Sequence, residues 1–249
     1  MDLKTVANWR DFGGYPAREG KHLRKGRIYR SGDLDRVSRA DLHVLQALPL
    51  KTIVDLRTPS ERRAGSGRLR GVQELALPFD IDSTARARVK PFLFQKNAEG
   101  EIIAAMNSVY ADMVDYLRTP LGELLRKLLA PDSYPVLIHC RAGKDRTGFA
   151  CAVIQLALGV EPACIIQDYL ASNDYYAPRI RRPLRVVRFL TGGLIPTQNF
   201  QTGFLCHEEY IDTVLDQING KYGGIEPYLE GCGLTNGDIQ TLQDLLLEM

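Results

Sequence analysis

The chain of 249 residues reads as an α/β domain, a mostly parallel sheet flanked by helices. Three observations point to it. Short apolar runs recur at 28–30, 52–56, 73–77 and 135–139. Stretches with apolar residues at helical spacing lie between and after them. The run at 135–139 feeds a short glycine-containing loop that opens a further helix.

The elements follow in order. Ser38 with Asp41 three positions on is a capping-box pattern for a helix after the first strand. Residues 83–100 are irregular: Arg86, Arg88, Lys90 and Lys96 surround Pro91, Phe92, Leu93 and Phe94. Lying beside a candidate acid, they read either as a helical or irregular lid or flap inserted within 83–118 or as an ordinary surface excursion packed by its own aromatics. Ile102, Ile103, Met106, Val109, Tyr110, Met113, Val114 and Leu117 keep a helical period. Thr119 and Pro120 open the next helix, whose stripe of Leu121, Leu124, Leu125, Leu128 and Leu129 stops at Pro131. Residues 149–158 are apolar all round, as a buried central helix requires. Arg179, Arg181, Arg182, Arg185 and Arg188 form a basic cluster on a helix, a solvated face or a contact for anionic lipid or an acidic partner. Thr235 and Asp238 cap a last helix running to Leu247.

Composition narrows the class. With no linker-like stretch and no internal repeat, residues 1–249 read as one domain. Hydrophobic residues make up 45% and charged residues 25%, as in a soluble globular protein. A net charge of +2 offers no field for nucleic acid. Five cysteines without paired spacing fit a reducing compartment. The N-terminus is polar, and no run has the length of a transmembrane segment. A cytoplasmic location is the expectation, with export lacking a removable signal the alternative.

The candidate chemistry sits at His139-Cys140-Arg141-Ala142-Gly143-Lys144-Asp145-Arg146-Thr147-Gly148. A helix N-terminus presents unpaired amides and a partial positive charge, so it binds anions. Gly143 suits a turn whose amides point inward around a phosphate. Arg146 offers a planar cation that grips two phosphate oxygens. Cys140 lies beneath the same field, which favours the thiolate, the nucleophilic form. Attack on phosphorus gives a phosphocysteine that water then opens. Thr147 is placed to hydrogen-bond the thiolate. Arg141, Ala142, Gly143, Lys144 and Thr147 are the phosphate-binding candidates, with Cys140 and Arg146 catalytic. Loop amides and Arg146 supply the charge stabilisation, so no metal or other cofactor is called for.

The leaving oxygen needs a proton, and a nearby aspartate is the usual source. Asp80 follows the apolar run at 73–77 and stands first. Asp145, inside the loop, is second, with a bracing salt bridge as its other reading. Asp82 is third. Asp55, Arg57 and Glu61 follow a buried strand and read as ion-pair braces.

The loop resembles the signature of the cysteine-based protein tyrosine phosphatases. Its Gly-Lys-Asp-Arg-Thr-Gly ending is similar to the atypical bacterial branch typified by mycobacterial tyrosine phosphatase B. Asn8-Trp9-Arg10-Asp11-Phe12-Gly13-Gly14, Ile28-Tyr29-Arg30-Ser31-Gly32 and Thr52-Ile53-Val54-Asp55-Leu56-Arg57 resemble further elements of that branch. So do Asp168-Tyr169-Leu170, Ser172-Asn173-Asp174 and Tyr222-Gly223-Gly224. The likeness covers nearly the whole chain and is weakest over 81–118. It implies a tyrosine phosphatase fold and activity on phosphotyrosine, with phosphoserine, phosphothreonine or phosphoinositides as further substrates.

Lys144 bears on substrate, because lipid phosphatases of this kind tend to carry lysine there. As a mobile cation at the rim it would pair with a second phosphate; a solvated surface lysine is the alternative. Two rivals remain: a rhodanese-type sulfurtransferase, whose loop usually has fewer residues between Cys and Arg, and a non-catalytic phosphoprotein-binding module. The expected partners are therefore a phosphorylated protein or a phosphoinositide.

Overall fold

The computed structural model describes residues 3–62, 69 and 71–249, the side chain of Asp82 excepted. Its strands are β1 (Arg10–Asp11), β2 (His22–Leu23), β3 (Ile28–Ser31), β4 (Thr52–Asp55), β5 (Gln73–Ala76), β6 (Val136–His139) and β7 (Leu247–Glu248). The helices are α1 (Arg39–Ala47), α2 (Asp82–Val89), α3 (Glu99–Tyr116), α4 (Arg118–Leu128), α5 (Asp145–Ala157) and α6 (Pro162–Leu170). They continue with α7 (Ser172–Leu190), α8 (Thr197–Phe204), α9 (Glu208–Tyr222), α10 (Ile225–Gly231) and α11 (Asn236–Leu246).

The main sheet has the order β1-β3-β6-β4-β5. β3, β6, β4 and β5 run parallel, and β1 joins the edge antiparallel to β3. All four residues of β6 are buried, as are those of β4, because both faces of a parallel sheet are covered. Alternation along the strands assigns the faces. Val54, Val136 and Ile138 join the larger core with residues of α3, α4, α5 and α9, whereas Ile53 and Leu137 join Leu45 of α1, Val6 and Trp9. α5 is buried along nearly its whole length, as its all-round apolar sequence requires.

Three local expectations change. Residues 82–89 are helical, although their sequence has no apolar stripe; packing against α3 overrides a weak local signal. Ser38 does cap α1, accepting from the Asp41 amide at 3.1 Å, but the Asp41 carboxylate turns to the Thr5 amide at 2.6 Å rather than back to Ser38. The last helix has both arms of its Thr235–Asp238 capping box yet ends at Leu246, and Leu247–Glu248 pairs with β2 as a two-stranded ribbon. No helix among the described residues is long and apolar enough to cross a membrane.

Candidate active site

β3, β6 and β4 end level, with Ser31 and Asp55 on either side of His139. Chain leaving these three carboxyl ends builds the site, in the crevice where open α/β sheets bind ligands. The loop 140–144 follows β6, and α5 begins at Asp145, so its unpaired amides lie at the loop. Cys140 is 2% exposed, and its Sγ accepts the Gly143 N–H at 3.1 Å.

Gly143 has φ +66°, and a Cβ there would sit 2.4 Å from the Ser31 carbonyl. Only glycine lets the loop lie flat on the end of β3. We expect Gly143→Ala to lower the melting temperature by roughly 4 °C or more, from left-handed backbone strain and the clash together. It also disturbs the nest, so turnover falls; an unchanged melting curve with full activity would refute this account.

Glu61 meets Arg146 through two parallel bonds, Nη1–Oε2 at 2.6 Å and Nη2–Oε1 at 2.8 Å. Burial opposes the charge on Glu61, but the bond to Arg146 prevails and holds its carboxyl at about 2. The guanidinium is thereby set at the mouth of the loop before any anion arrives. Asp55 and Asp35 hold Arg57 in the same way, with Nη2–Oδ2 at 2.9 Å and Nη1–Oδ2 at 2.8 Å. His139 is fully buried, and burial lowers its tendency to take a proton.

Behind the loop lies a polar network that sequence reasoning did not assign. The Gly143 carbonyl accepts from Asn8 Nδ2 at 2.6 Å and from Arg30 Nη2 at 2.9 Å. Arg30 is wholly buried and pairs with Asp168, which Arg10 Nε also reaches at 2.9 Å. Burial alone would raise the Asp168 carboxyl; the two guanidinium groups outweigh it and hold it below the usual range. Its sequence signal was one of misfit: Arg30 interrupts a buried strand, and Asp168 interrupts an apolar helix.

Two hollows adjoin at the loop. Asp33, Cys140, Arg141, Ala142, Asp145, Arg146 and Tyr176 line the smaller, of about 280 Å³. The larger, about 690 Å³, is a groove walled by Ile81, Val89, Met106, Val109, Ile180 and Phe204, with Arg86, Lys90, Arg141 and Lys144 as its cations. Arg141, Ala142, Asp145 and Tyr176 belong to both. The segment expected to be a lid thus walls a groove beside the loop through α2 and α3.

The expected residues fall as follows. Cys140, Arg141, Ala142, Asp145 and Arg146 share the small hollow. Asp145 Oδ1 accepts the Tyr110 hydroxyl at 2.6 Å, and Tyr110 in turn meets the Tyr169 hydroxyl at 2.7 Å. Asp80 is exposed and lines neither hollow. Asp82 opens α2, with its side chain outside the described residues. Thr147 is buried; among the described residues its hydroxyl has no hydrogen-bond partner, and the Gly143 amide is what the sulfur accepts from. Lys144 corrects both readings of it, being neither a mobile rim cation nor a solvated lysine. It is 5% exposed and donates to the Phe204 carbonyl at 2.9 Å, with Asp145 Oδ1 at 3.3 Å. Burial opposes its charge, but Asp145 and nearby cysteines prevail and hold its proton more tightly than usual.

Residues missed outright are Asp33 and Tyr176, which reach the small hollow from the end of β3 and from α7. Burial, with Asp35 nearby, pushes the Asp33 carboxyl up. Neither stood in a motif, so no sequence signal marked it.

Enzymes that work on phosphate esters through a loop cysteine are the class to which this sheet-edge arrangement corresponds. Comparison with known proteins makes the assignment specific. The model described as the tyrosine phosphatase family matches residues 1–248, and the chain belongs to that family, a family of cysteine-based hydrolases. A Cupriavidus necator protein bearing a tyrosine-protein phosphatase name is 33% identical over 92% of this chain and 82% of its own length. The triple specificity protein phosphatase PtpB of Mycobacterium tuberculosis is 29% identical over 99% of this chain and 98% of its own. Among solved structures, the core catalytic domain of the PP-IP phosphatase SIW14 from S. cerevisiae is 18% identical, covering 69% of this chain and 78% of that one with a TM-score of 0.42.

Proposed function

We propose that the enzyme hydrolyses phosphotyrosine in proteins, with phosphoserine and phosphothreonine as further substrates, through a phosphocysteine at Cys140. One observation carries this reading: Cys140, Arg146 and Asp145 line a single hollow of about 280 Å³. The phosphoryl group binds over the loop amides and Arg146, which takes over oxygens now matched by Glu61. The Cys140 thiolate forms an S–P bond as the P–O bond to the substrate breaks. Asp145 gives the leaving oxygen its proton. Water then attacks phosphorus, returns that proton to Asp145 and releases phosphate and the thiolate. Tyr110 fixes one oxygen of Asp145, leaving the other for this exchange. The five free cysteines support work in a reducing compartment.

Asp145 displaces Asp80 as the acid because it lines the hollow and Asp80 does not. Asp33 is the other carboxyl there. Against a phosphotyrosine peptide, Asp145→Asn should lower kcat by on the order of 100-fold. With p-nitrophenyl phosphate, whose leaving group needs little protonation, the loss should be much smaller. Asp80→Asn should match wild type on both. The reverse pattern, or the same split in Asp33→Asn alone, would reassign the acid.

The groove supports a second substrate class. Its apolar walls with Arg86, Lys90 and Lys144 suit a phosphoinositide, whose ring carries further phosphates and whose tail is apolar. PtpB, a relative over nearly the whole chain, is named for triple specificity. Phosphate release from phosphopeptides and phosphoinositides, run side by side, decides the preference.

A further inference from the structure

Helix α7 begins inside the protein and ends outside it. Tyr176 and Ile180 wall the groove, whereas beyond Ile180 only Leu184 and Val187 are half-buried. Val186 is 57% exposed, Phe189 84%, Leu190 75% and Leu194, in the following turn, 85%. Large apolar side chains this exposed are expected singly, not four within nine positions. The same stretch is strongly cationic. From Tyr175 to His207 the chain carries five arginines and neither Asp nor Glu. Arg182 and Arg185 alternate with Val186 and Phe189 around a shallow surface hollow.

We propose that the outer half of α7 and the turn at 191–196 seat this protein on an anionic lipid bilayer. The two kinds of side chain select that partner together. Guanidinium groups pair with headgroup phosphates, while phenyl and leucyl side chains enter the acyl boundary. An acidic protein would use the arginines and leave Phe189, Leu190 and Leu194 facing polar groups. A second copy would set five arginines against five. Because Tyr176 and Ile180 lie on the same helix, the docked protein holds its groove beside the bilayer. Only this last consequence rests on the phosphatase reading; the docking does not.

Cosedimentation with phosphatidylcholine vesicles, with and without phosphatidylserine, tests it by binding alone. Wild type should bind the phosphatidylserine vesicles, release them as salt rises, and ignore pure phosphatidylcholine. Arg181→Gln/Arg185→Gln/Arg188→Gln should weaken binding by on the order of 100-fold. Phe189→Asp/Leu194→Asp should weaken it by about tenfold or more. Both variants should hydrolyse p-nitrophenyl phosphate at the wild-type rate. If the apolar variant folds poorly, the arginine variant and the salt series decide. No binding, equal binding to both vesicle types, or variants that bind like wild type would overturn the proposal. So would a dimer in lipid-free light scattering that the apolar variant dissolves, since that makes a second copy the occupant. A wild type that binds vesicles but releases no phosphate sinks the phosphatase reading and leaves the docking intact.

Discussion

Cys140→Ser should reduce turnover of a phosphotyrosine peptide by on the order of 10,000-fold or more, with the melting temperature almost unchanged. The physical case is local. Sγ is buried at the base of the loop, and its visible partner is the Gly143 amide at 3.1 Å, which a serine oxygen also accepts. The substitution therefore keeps the nest and removes the nucleophile. EDTA should leave wild-type turnover intact, because Arg146 and the loop amides carry the charge stabilisation in this mechanism. Quenched-flow trapping of phosphoenzyme gives an independent reading. Labelled phosphate should appear on the wild-type protein and be absent from Cys140→Ser. Retained turnover in the variant would end the proposal that Cys140 is the nucleophile.

Asp168→Ala should be the most destabilising single change in the site region. Arg30 is wholly buried and Arg10 partly so, and both are held by this carboxylate. Removing it leaves buried positive charge uncompensated, a cost of about 3–5 kcal/mol, or a melting temperature lower by roughly 10 °C. Activity should fall as well, since Arg30 also holds the Gly143 carbonyl. The pH dependence has a definite sign. Despite burial, the arginines hold the folded-state carboxyl of Asp168 below its ordinary value. Its contribution is complete above an ordinary carboxyl value of about 4 and is lost as pH falls through the lower folded one. The gap between wild type and variant should therefore be widest near neutrality and close in acid. Equal thermal stability of the two proteins at neutral pH would show that the network does not hold the loop.

Much of the fold was open to reading because its signals are local. The short runs at 28–30, 52–56, 73–77 and 135–139 became β3, β4, β5 and β6, and the all-apolar run after the loop became the buried α5. β1, β2 and β7 were not seen: each has two residues, too few for alternation to register. α2 was missed for a different reason. Its alanines and arginines give no stripe, and only its packing against α3 makes the segment helical.

The site divides along the same line. Cys140, Gly143 and Arg146 could be chosen from sequence because a strand, a tight turn and a helix start carry their geometry within a few positions. Contacts between distant positions decided the rest. Asn8 reaches Gly143 across 135 positions, and Arg30 reaches Asp168 across 138. Lys144 is buried because α8 brings the Phe204 carbonyl to its ammonium group. Asp145 rather than Asp80 stands in the hollow, and Asp33 and Tyr176 join it, because three parallel strands end level and α7 brings Tyr176 to the loop. By itself the sequence determined the strand, loop and helix start that hold Cys140 and Arg146, and the sheet that carries them, since neighbouring residues dictate both. Tertiary structure alone decided which carboxyl, which cations and which apolar walls surround that loop, since their placement depends on how distant segments pack.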